Sequence, residues 1–582
     1  MKTNNQQNVK QWVHFVFWGV ILFLPNAFLI AISIRPVNTL LKTIPFSFIL
    51  FLGLLAWVKK PKLLLIILLP FLLLVPAEIS YIVHYKAASS SHILGILSET
   101  NWTESLAYAG WNQILLVCLI SGALFLSFVY SLRHLPAQIG NARAWTWLRW
   151  VFLITLLSIA WYSAYGQPDD FDLPASDLQS VNLTAQTKEK IFLGNGRPAE
   201  EAYGSSFPFG VLLRVWAFHE EMTHLREAAA LLDQAPPPKV WWTSPAGRSA
   251  APHNVVLVIG ESSRADHWGL NGYQRQTTPL LASLNHLISF KNVVTPWTNT
   301  RRAVPVLIIG EQDTDHLAVI QHPSLLSIFK QAGYYTAWLS NQSPLGPHDS
   351  LIAMHAHQAE RQVYTNPVSY QSAGATDDAL LAPLSSVLNH SATNKFIILH
   401  LLGSHPRYID RYPAAFGPFQ PTLSNHAKNP EAIVNAYDNS IAFTDKVLYE
   451  IIKLLSARSD EKSLLFYISD HGQTLPSKSC QQAGHGGLSK SDNSVSALIW
   501  FSDEMLNESK SKFNQLSDKL SEPLYSPETV HTLLDLTGLA YSGYKDEWSW
   551  ASKKWQPKHR WTGGPSHIRQ LTENHSCNTM IN

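Results

Sequence analysis

Three short apolar runs in the C-terminal part of the chain end on residues that can do chemistry. Val255-Val256-Leu257-Val258-Ile259 leads into Gly260-Glu261, Phe396-Ile397-Ile398-Leu399 into His400, and Leu464-Leu465-Phe466-Tyr467-Ile468 into Ser469-Asp470-His471. A fourth run, Tyr335-Thr336-Ala337-Trp338-Leu339, ends in Ser340-Asn341. Carboxylates and imidazoles gathered at one place suit zinc, and also manganese. A lone strand-end aspartate such as Asp470 is as readily a turn cap. The convergence of several candidate ligands is what points to a metal centre.

The elements that must position these groups follow from the same runs. Short continuous apolar segments suit strands buried on both faces of a parallel sheet. Helical stretches such as 324–332 and 432–455 lie between them, so the pattern from Asn254 onward is α/β with helices on both sides. In open α/β sheets ligands bind at the carboxyl ends of the strands. Glu261, His400, Asp470 and His471 would therefore meet along one edge.

The rest of the chain has a different texture. It has 582 residues and a net charge of +2, which argues against a general nucleic-acid or polyanion binder. Charged residues make up 15%, against about 25% in ordinary soluble proteins. The apolar residues crowd into roughly the first 165 positions, in stretches near 11–34, 37–58, 63–84, 112–132 and 147–165. A membrane span needs about 20 apolar residues, so five spans are expected, the second interrupted by Lys42. With the N-terminus in the cytoplasm, Lys2, Lys10, Lys59, Lys60, Lys62, Arg133, Arg143 and Arg149 are cytoplasmic, and Arg35, Lys42 and Lys86 face outward. That bias favours the N-in orientation, and five spans then place everything after about residue 166 outside.

Residues 166–252 are polar and punctuated by proline, with Pro236-Pro237-Pro238 marking a break. Within them Val211-Leu212-Leu213, Val215, Phe218 and Leu225 have helical spacing. This predicts amphipathic helices lying on the membrane or on the following domain, or an ordinary packed linker helix. The expected division is therefore a membrane domain over 1–165, a linker over 166–252 and a catalytic domain with a C-terminal tail over 253–582. There are three cysteines, Cys118, Cys480 and Cys577. None has zinc-finger spacing; in an exported domain Cys480 and Cys577 could pair.

Several blocks carry a family resemblance. Gly260-Glu261-Ser262-Ser263-Arg264 followed by Asn271-Gly272-Tyr273-Gln274-Arg275-Gln276-Thr277-Thr278-Pro279 resembles the opening motif of phosphoethanolamine transferases in the alkaline phosphatase and sulfatase superfamily. Asn292-Val293-Val294-Thr295 with Thr300 resembles their nucleophile segment. His400-Leu401-Leu402-Gly403-Ser404-His405-Pro406, Asn435-Ala436-Tyr437-Asp438-Asn439, and Ser469-Asp470-His471-Gly472 with His485 match further blocks. Within the family the likeness is greatest to the branch that decorates the heptose of the lipopolysaccharide core. The lipid A-modifying branch has a cysteine-rich, disulfide-bonded domain that three cysteines do not supply. The resemblance implies an N-terminal five-helix transmembrane domain followed by an alkaline phosphatase-like α/β/α sandwich, in the bacterial inner membrane with the catalytic domain in the periplasm.

The resemblance also implies roles. Glu261, Thr300, Asp470 and His471 would hold one catalytic zinc ion, with Thr300 as the nucleophile. His405 and His485 would bind the phosphoryl group or a second metal, and Asn341 and Gln342 would contact substrate. A threonine hydroxyl is a poor nucleophile near neutral pH, and coordination to zinc favours its alkoxide. The implied reaction takes phosphoethanolamine from phosphatidylethanolamine to a lipopolysaccharide acceptor through a phosphoethanolamine–threonine intermediate. Thr295 and Thr298 are rival hydroxyls nearby, and Gln473 stands where the family commonly has Glu. A phosphoglycerol transferase shares the spans, metal and threonine. A sulfatase or phosphodiesterase would use water, but the Cys/Ser-x-Pro-x-Arg nucleophile motif is missing. A membrane sensor with a dead enzyme domain would not need Glu261, Thr300, Asp470 and His471 all intact.

Overall fold

The computed structural model describes residues 2–32, 44–85, 102–136, 143–165, 203–220, 236–243, 251–311, 322–342, 350–366, 375–422, 429–476, 484–485, 489–562 and 569–570, with a few isolated positions between them. Cys480, Cys577 and Lys42 lie outside these residues. The chain forms two compact units, one built from the N-terminal helices with residues up to His224, the other mainly from residues 225–582.

In the first unit the described parts of the expected apolar segments are helical for most of their length, with turns at Ile44 and Leu68. The helices are α1 (Lys2–Ile32), α2 (Pro45–Val58), α3 (Pro61–Ile67), α4 (Leu69–Tyr85), α5 (Trp102–Ser131) and α6 (Arg143–Tyr165). Among the described residues, Lys10–Ile32 and Asn112–Ser131 are single helices long and apolar enough to cross a membrane. The expected third span is instead a pair, α3 and α4, bent by 54°. The break at Leu68 lies two residues before Pro70, whose missing N–H and ring disfavour continuing the helix. Pro45–Val58 and Trp145–Ser158 are shorter apolar helices.

Residues of the expected linker belong to this unit. Phe207, Phe209 and Leu213 are buried in one cluster with Trp18, Leu22, Phe46, Leu50 and Leu72. Peptide groups of this segment are held by side chains of the apolar helices, as buried backbone requires. Asn26 donates to the Phe207 carbonyl (2.7 Å) and accepts from its N–H (2.9 Å). Ser47 Oγ accepts from the Phe209 N–H and lies 3.0 Å from the Ser206 carbonyl. Arg214 is buried against Glu78 at 3.0 Å and donates from Nε to the Gly204 carbonyl. The helix over 210–220 thus turns Leu213 and Ala217 inward and leaves Leu212, Val215 and Trp216 exposed. Its inner face packs on the helices of its own unit.

The second unit is built on an eight-stranded sheet. Its strands are β1 (Asn254–Gly260), β2 (Leu287–Val294), β3 (Tyr335–Ser340), β4 (Arg361–Tyr364), β5 (Lys395–His400), β6 (Ser463–Ser469), β7 (Ser494–Phe501) and β8 (Leu524–Tyr525), in the order β4-β3-β5-β1-β6-β7-β2-β8. The five strands from β4 to β6 are parallel, and β7 runs antiparallel to both of its neighbours. Every residue of β1, β5 and β6 is buried, as expected of strands covered on both faces. The helices that bear on the site are α7 (Thr300–Ile309) and the long α8 (Pro430–Ser456). Ile433, Ala436, Ile441, Val447, Leu448 and Ile451 of α8 join Val256, Val258, Ile397, Leu399 and Leu465 of the sheet in one core. This is the α/β architecture the apolar runs predict.

Candidate metal centre and nucleophile

β1 pairs in register with β6, so that Gly260 faces Ser469. Glu261, Asp470 and His471, each one or two residues past that point, are therefore brought together by the register alone. All three are fully buried. His471 Nε2 lies 3.3 Å from Glu261 Oε1 and 3.4 Å from Asp470 Oδ2. One ligand atom from each of the three residues lies within 4.8 Å of the others, close enough to hold a single ion.

The surroundings fix how each ligand points. His471 Nδ1 is 2.8 Å from the Gly472 carbonyl, a partner that can only accept, so Nδ1 carries a proton and Nε2 is the nitrogen turned into the cluster. Asp470 Oδ1 accepts from the backbone N–H groups of His471 (2.6 Å) and Ser262 (3.2 Å), whereas its buried Oδ2 has no hydrogen-bond partner. A buried carboxylate oxygen left over in this way is costly unless something cationic meets it. Ser262 Oγ donates to Glu261 Oε1 at 2.6 Å.

Electrostatics tell the same story. Burial and the neighbouring Glu261 charge push Asp470 up to about 7, against the pull of His471. Burial opposes the His471 cation, yet Asp470 and Glu261 outweigh it and raise this imidazole to about 10. Burial also opposes the Glu261 charge, and His471 overcomes it and holds the carboxyl well below its usual range. Two carboxylates and an imidazole thus compete for protons in a dry space, which a divalent cation would resolve by displacing them. The residues present fit zinc.

Thr300 enters this cluster from the first residue of α7. Its Oγ1 donates to Glu261 Oε2 at 2.8 Å and lies 3.3 Å from His471 Nε2. Capping of the helix falls to Asn299, whose side chain accepts from the Arg302 N–H. Thr300 is therefore free of the capping role, and its hydroxyl is turned to the carboxylate. The rivals differ. Thr295 is fully buried at the end of β2, and Thr298 is buried with its carbonyl 3.3 Å from His485 Nδ1.

The other expected residues divide. His405 and His485 each place a nitrogen within 4.8 Å of a Glu261 oxygen and of one another, and the His485 ring lies 4.3 Å from that of His471, centroid to centroid. Burial, then the His471 charge, lowers His485 well below the ordinary imidazole range. Gln342 donates to Glu261 Oε2 (3.3 Å) and to the Leu401 carbonyl (3.0 Å). Asn341 is buried and turned away. Its amide donates to Asp377 and the Ala375 carbonyl, and its oxygen accepts from Thr365. His400, at the end of β5, is buried beside Trp338 and lowered to about 4 by burial; it holds no place in the ligand groups.

Residues that no apolar run announces also build the site. Asp377 accepts from the N–H groups of Leu402 and Gly403, each at 2.8 Å, and so shapes the loop that carries His405. Gly403 has φ +49°, and a Cβ there would meet the Glu261 carbonyl oxygen at 2.7 Å and its nitrogen at 2.9 Å, so only glycine lets the two loops approach. The Asn271–Arg275 and Asn435–Asn439 blocks meet in a clasp centred on Asp438. Asp438 accepts from Tyr273 (2.9 Å) and Arg275 (2.9 Å) and pairs with His267 at 2.7 Å.

Comparison with known proteins places this geometry. The Sulfatase family model matches residues 253–539. Phosphoethanolamine transferase EptC of Escherichia coli (strain K12) is 29% identical over 509 residues, covering 84% of this chain and 82% of that protein. The crystal structure of the C-terminal periplasmic domain of Escherichia coli EptC in complex with Zn aligns with a TM-score of 0.52 at 29% identity, over 58% of this chain and 96% of that one. The integral membrane protein EptA, a lipooligosaccharide phosphoethanolamine transferase from Neisseria meningitidis, shares the fold over 92% of this chain and 98% of its own, with a TM-score of 0.65 at 22% identity. The chain thus carries a Sulfatase-family domain over residues 253–539 and is similar over most of its length to phosphoethanolamine transferases.

Proposed function

We propose that this protein transfers phosphoethanolamine from phosphatidylethanolamine to a lipopolysaccharide acceptor, the core heptose in preference to lipid A, with Thr300 as the nucleophile. The observation that carries this reading is the Thr300 hydroxyl, 2.8 Å from Glu261 inside a buried Glu–Asp–His cluster. Zinc held by Glu261, Asp470 and His471 would lower the pKa of the threonine hydroxyl and neutralise charge on the phosphoryl oxygens. The chain's own groups do the rest. Thr300 Oγ gives up its proton and attacks phosphorus, the bond from phosphorus to the diacylglycerol oxygen breaks, and that oxygen takes a proton as diacylglycerol leaves. An acceptor oxygen then displaces Thr300 Oγ and gives up its own proton, and Thr300 regains one. His405, His485 and Gln342 line the position of the transferring group and would orient its oxygens. Donor and acceptor are both lipids, which accounts for the apolar helices, with the N-terminus in the cytoplasm and the catalytic unit in the periplasm. The EptC and EptA relatives are named phosphoethanolamine transferases.

Mass spectrometry of envelope lipopolysaccharide from cells with and without the gene tests the reading. The expected result is a phosphoethanolamine increment on the core oligosaccharide that disappears with the gene. Identical spectra, or an increment confined to a glycerol phosphate polymer, would refute it.

A further inference from the structure

Ser262 sits between the two carboxylates of the metal centre with a backbone that few residues adopt. Its φ is +55°, in the left-handed region that strains a residue bearing a side chain. In that conformation its N–H reaches Asp470 Oδ1 (3.2 Å) while its hydroxyl reaches Glu261 Oε1 (2.6 Å). One residue thereby sets the spacing of both ligands, and something must hold it there.

The holder comes from α8. The buried Tyr437 hydroxyl donates to the Ser262 carbonyl at 2.7 Å and accepts from the Arg264 N–H at 2.9 Å, so it spans the turn. Three residues along, on the same face of the helix, Ser440 Oγ lies 2.6 Å from the Tyr437 carbonyl and 2.8 Å from Ser404 Oγ. It must donate to the carbonyl and accept from Ser404, which stands beside His405. Asn435 and Asp438 of the same helix make the clasp with Arg275. We infer that Tyr437 is a positioning residue for the metal centre, setting the Glu261–Asp470 spacing through the Ser262 backbone without touching ion or substrate. The inference rests on the proposed metal site and adds to it a residue from a helix that supplies no ligand.

The test compares Tyr437→Phe with Tyr273→Phe in the full-length protein in detergent, reading zinc affinity by competition with a chromophoric chelator. Phenylalanine keeps the ring contacts to Tyr408 and His267 and removes only the hydroxyl. Tyr437→Phe should weaken zinc binding about tenfold, as outer-shell changes do, and lower kcat with little change in KM. Tyr273→Phe breaks only the clasp to Asp438 and should leave zinc affinity within about twofold. 4-Aminophenylalanine at position 437 restores a donor and should return affinity toward that of the parent, which separates positioning from loss of fold. Zinc affinity unchanged in Tyr437→Phe, or weakened equally in Tyr273→Phe, would overturn the inference. A parent that binds zinc but transfers no phosphoethanolamine would refute the proposed reaction, while the zinc comparison would still decide the role of Tyr437.

Discussion

Replacing Thr300 with alanine is expected to lower turnover by at least about a thousandfold while leaving fold and zinc content almost unchanged. The two halves of this expectation have separate grounds. The hydroxyl is the group bonded to Glu261, and removing a nucleophile takes away the whole two-step route. The fold survives because Thr300 is the first residue of α7 and Asn299 supplies the cap. Alanine is the best helix former and fits the position without strain. Zinc remains because Glu261, Asp470 and His471 stay in place. Peptide mass spectrometry of the parent enzyme, incubated with phosphatidylethanolamine and no acceptor, should find the phosphoethanolamine adduct on Thr300. An adduct on Thr298 or Ser262, or near-normal turnover in Thr300→Ala, would show that another hydroxyl does the chemistry.

The second large effect is the loss of metal from Asp470→Asn. Alanine at this position would mislead, since Oδ1 satisfies two buried N–H groups and stranding them costs about 1–3 kcal/mol each. Asparagine keeps an acceptor there and puts an amide in place of the unpartnered Oδ2. Zinc affinity should fall by more than the about 10- to 100-fold typical of an outer-shell change, with thermal unfolding shifted only modestly. A folded Asp470→Asn protein that retains stoichiometric zinc by elemental analysis would remove Asp470 from the ligand set.

The proposed ligands Glu261, Asp470 and His471 are legible because they follow directly from strand ends. Once β1 and β6 are recognised as buried parallel neighbours, register places Glu261 beside Asp470 without further information. Asp377 left no such signal. It lies in a short 3-10 turn, far in sequence from the loop whose amides it binds, and nothing in a Thr-Asp-Asp string announces that role. Asn341 illustrates the reverse case, since a strand-end amide beside the site is consumed by internal hydrogen bonds while its neighbour Gln342 reaches Glu261. The bend after α3 was written in Pro70 but hidden by the unbroken apolar composition around it. The role of Tyr437 is invisible for a deeper reason. A tyrosine in an amphipathic helix reads as core, and only the three-dimensional path of the Ser262 backbone gives its hydroxyl a task.

The docking of residues 203–214 among the apolar helices bears on where the protein can be cut. Phe207, Phe209 and Leu213 are buried in that unit, and the Phe207 peptide group takes its hydrogen bonds from Asn26. A soluble fragment begun just after the last apolar helix would carry this segment without its surroundings, exposing three large apolar side chains and an arginine stripped of Glu78. Such a fragment is a candidate for self-association through the orphaned stretch. One begun at the Pro236-Pro237-Pro238 break leaves the stretch behind with the helices that complete it.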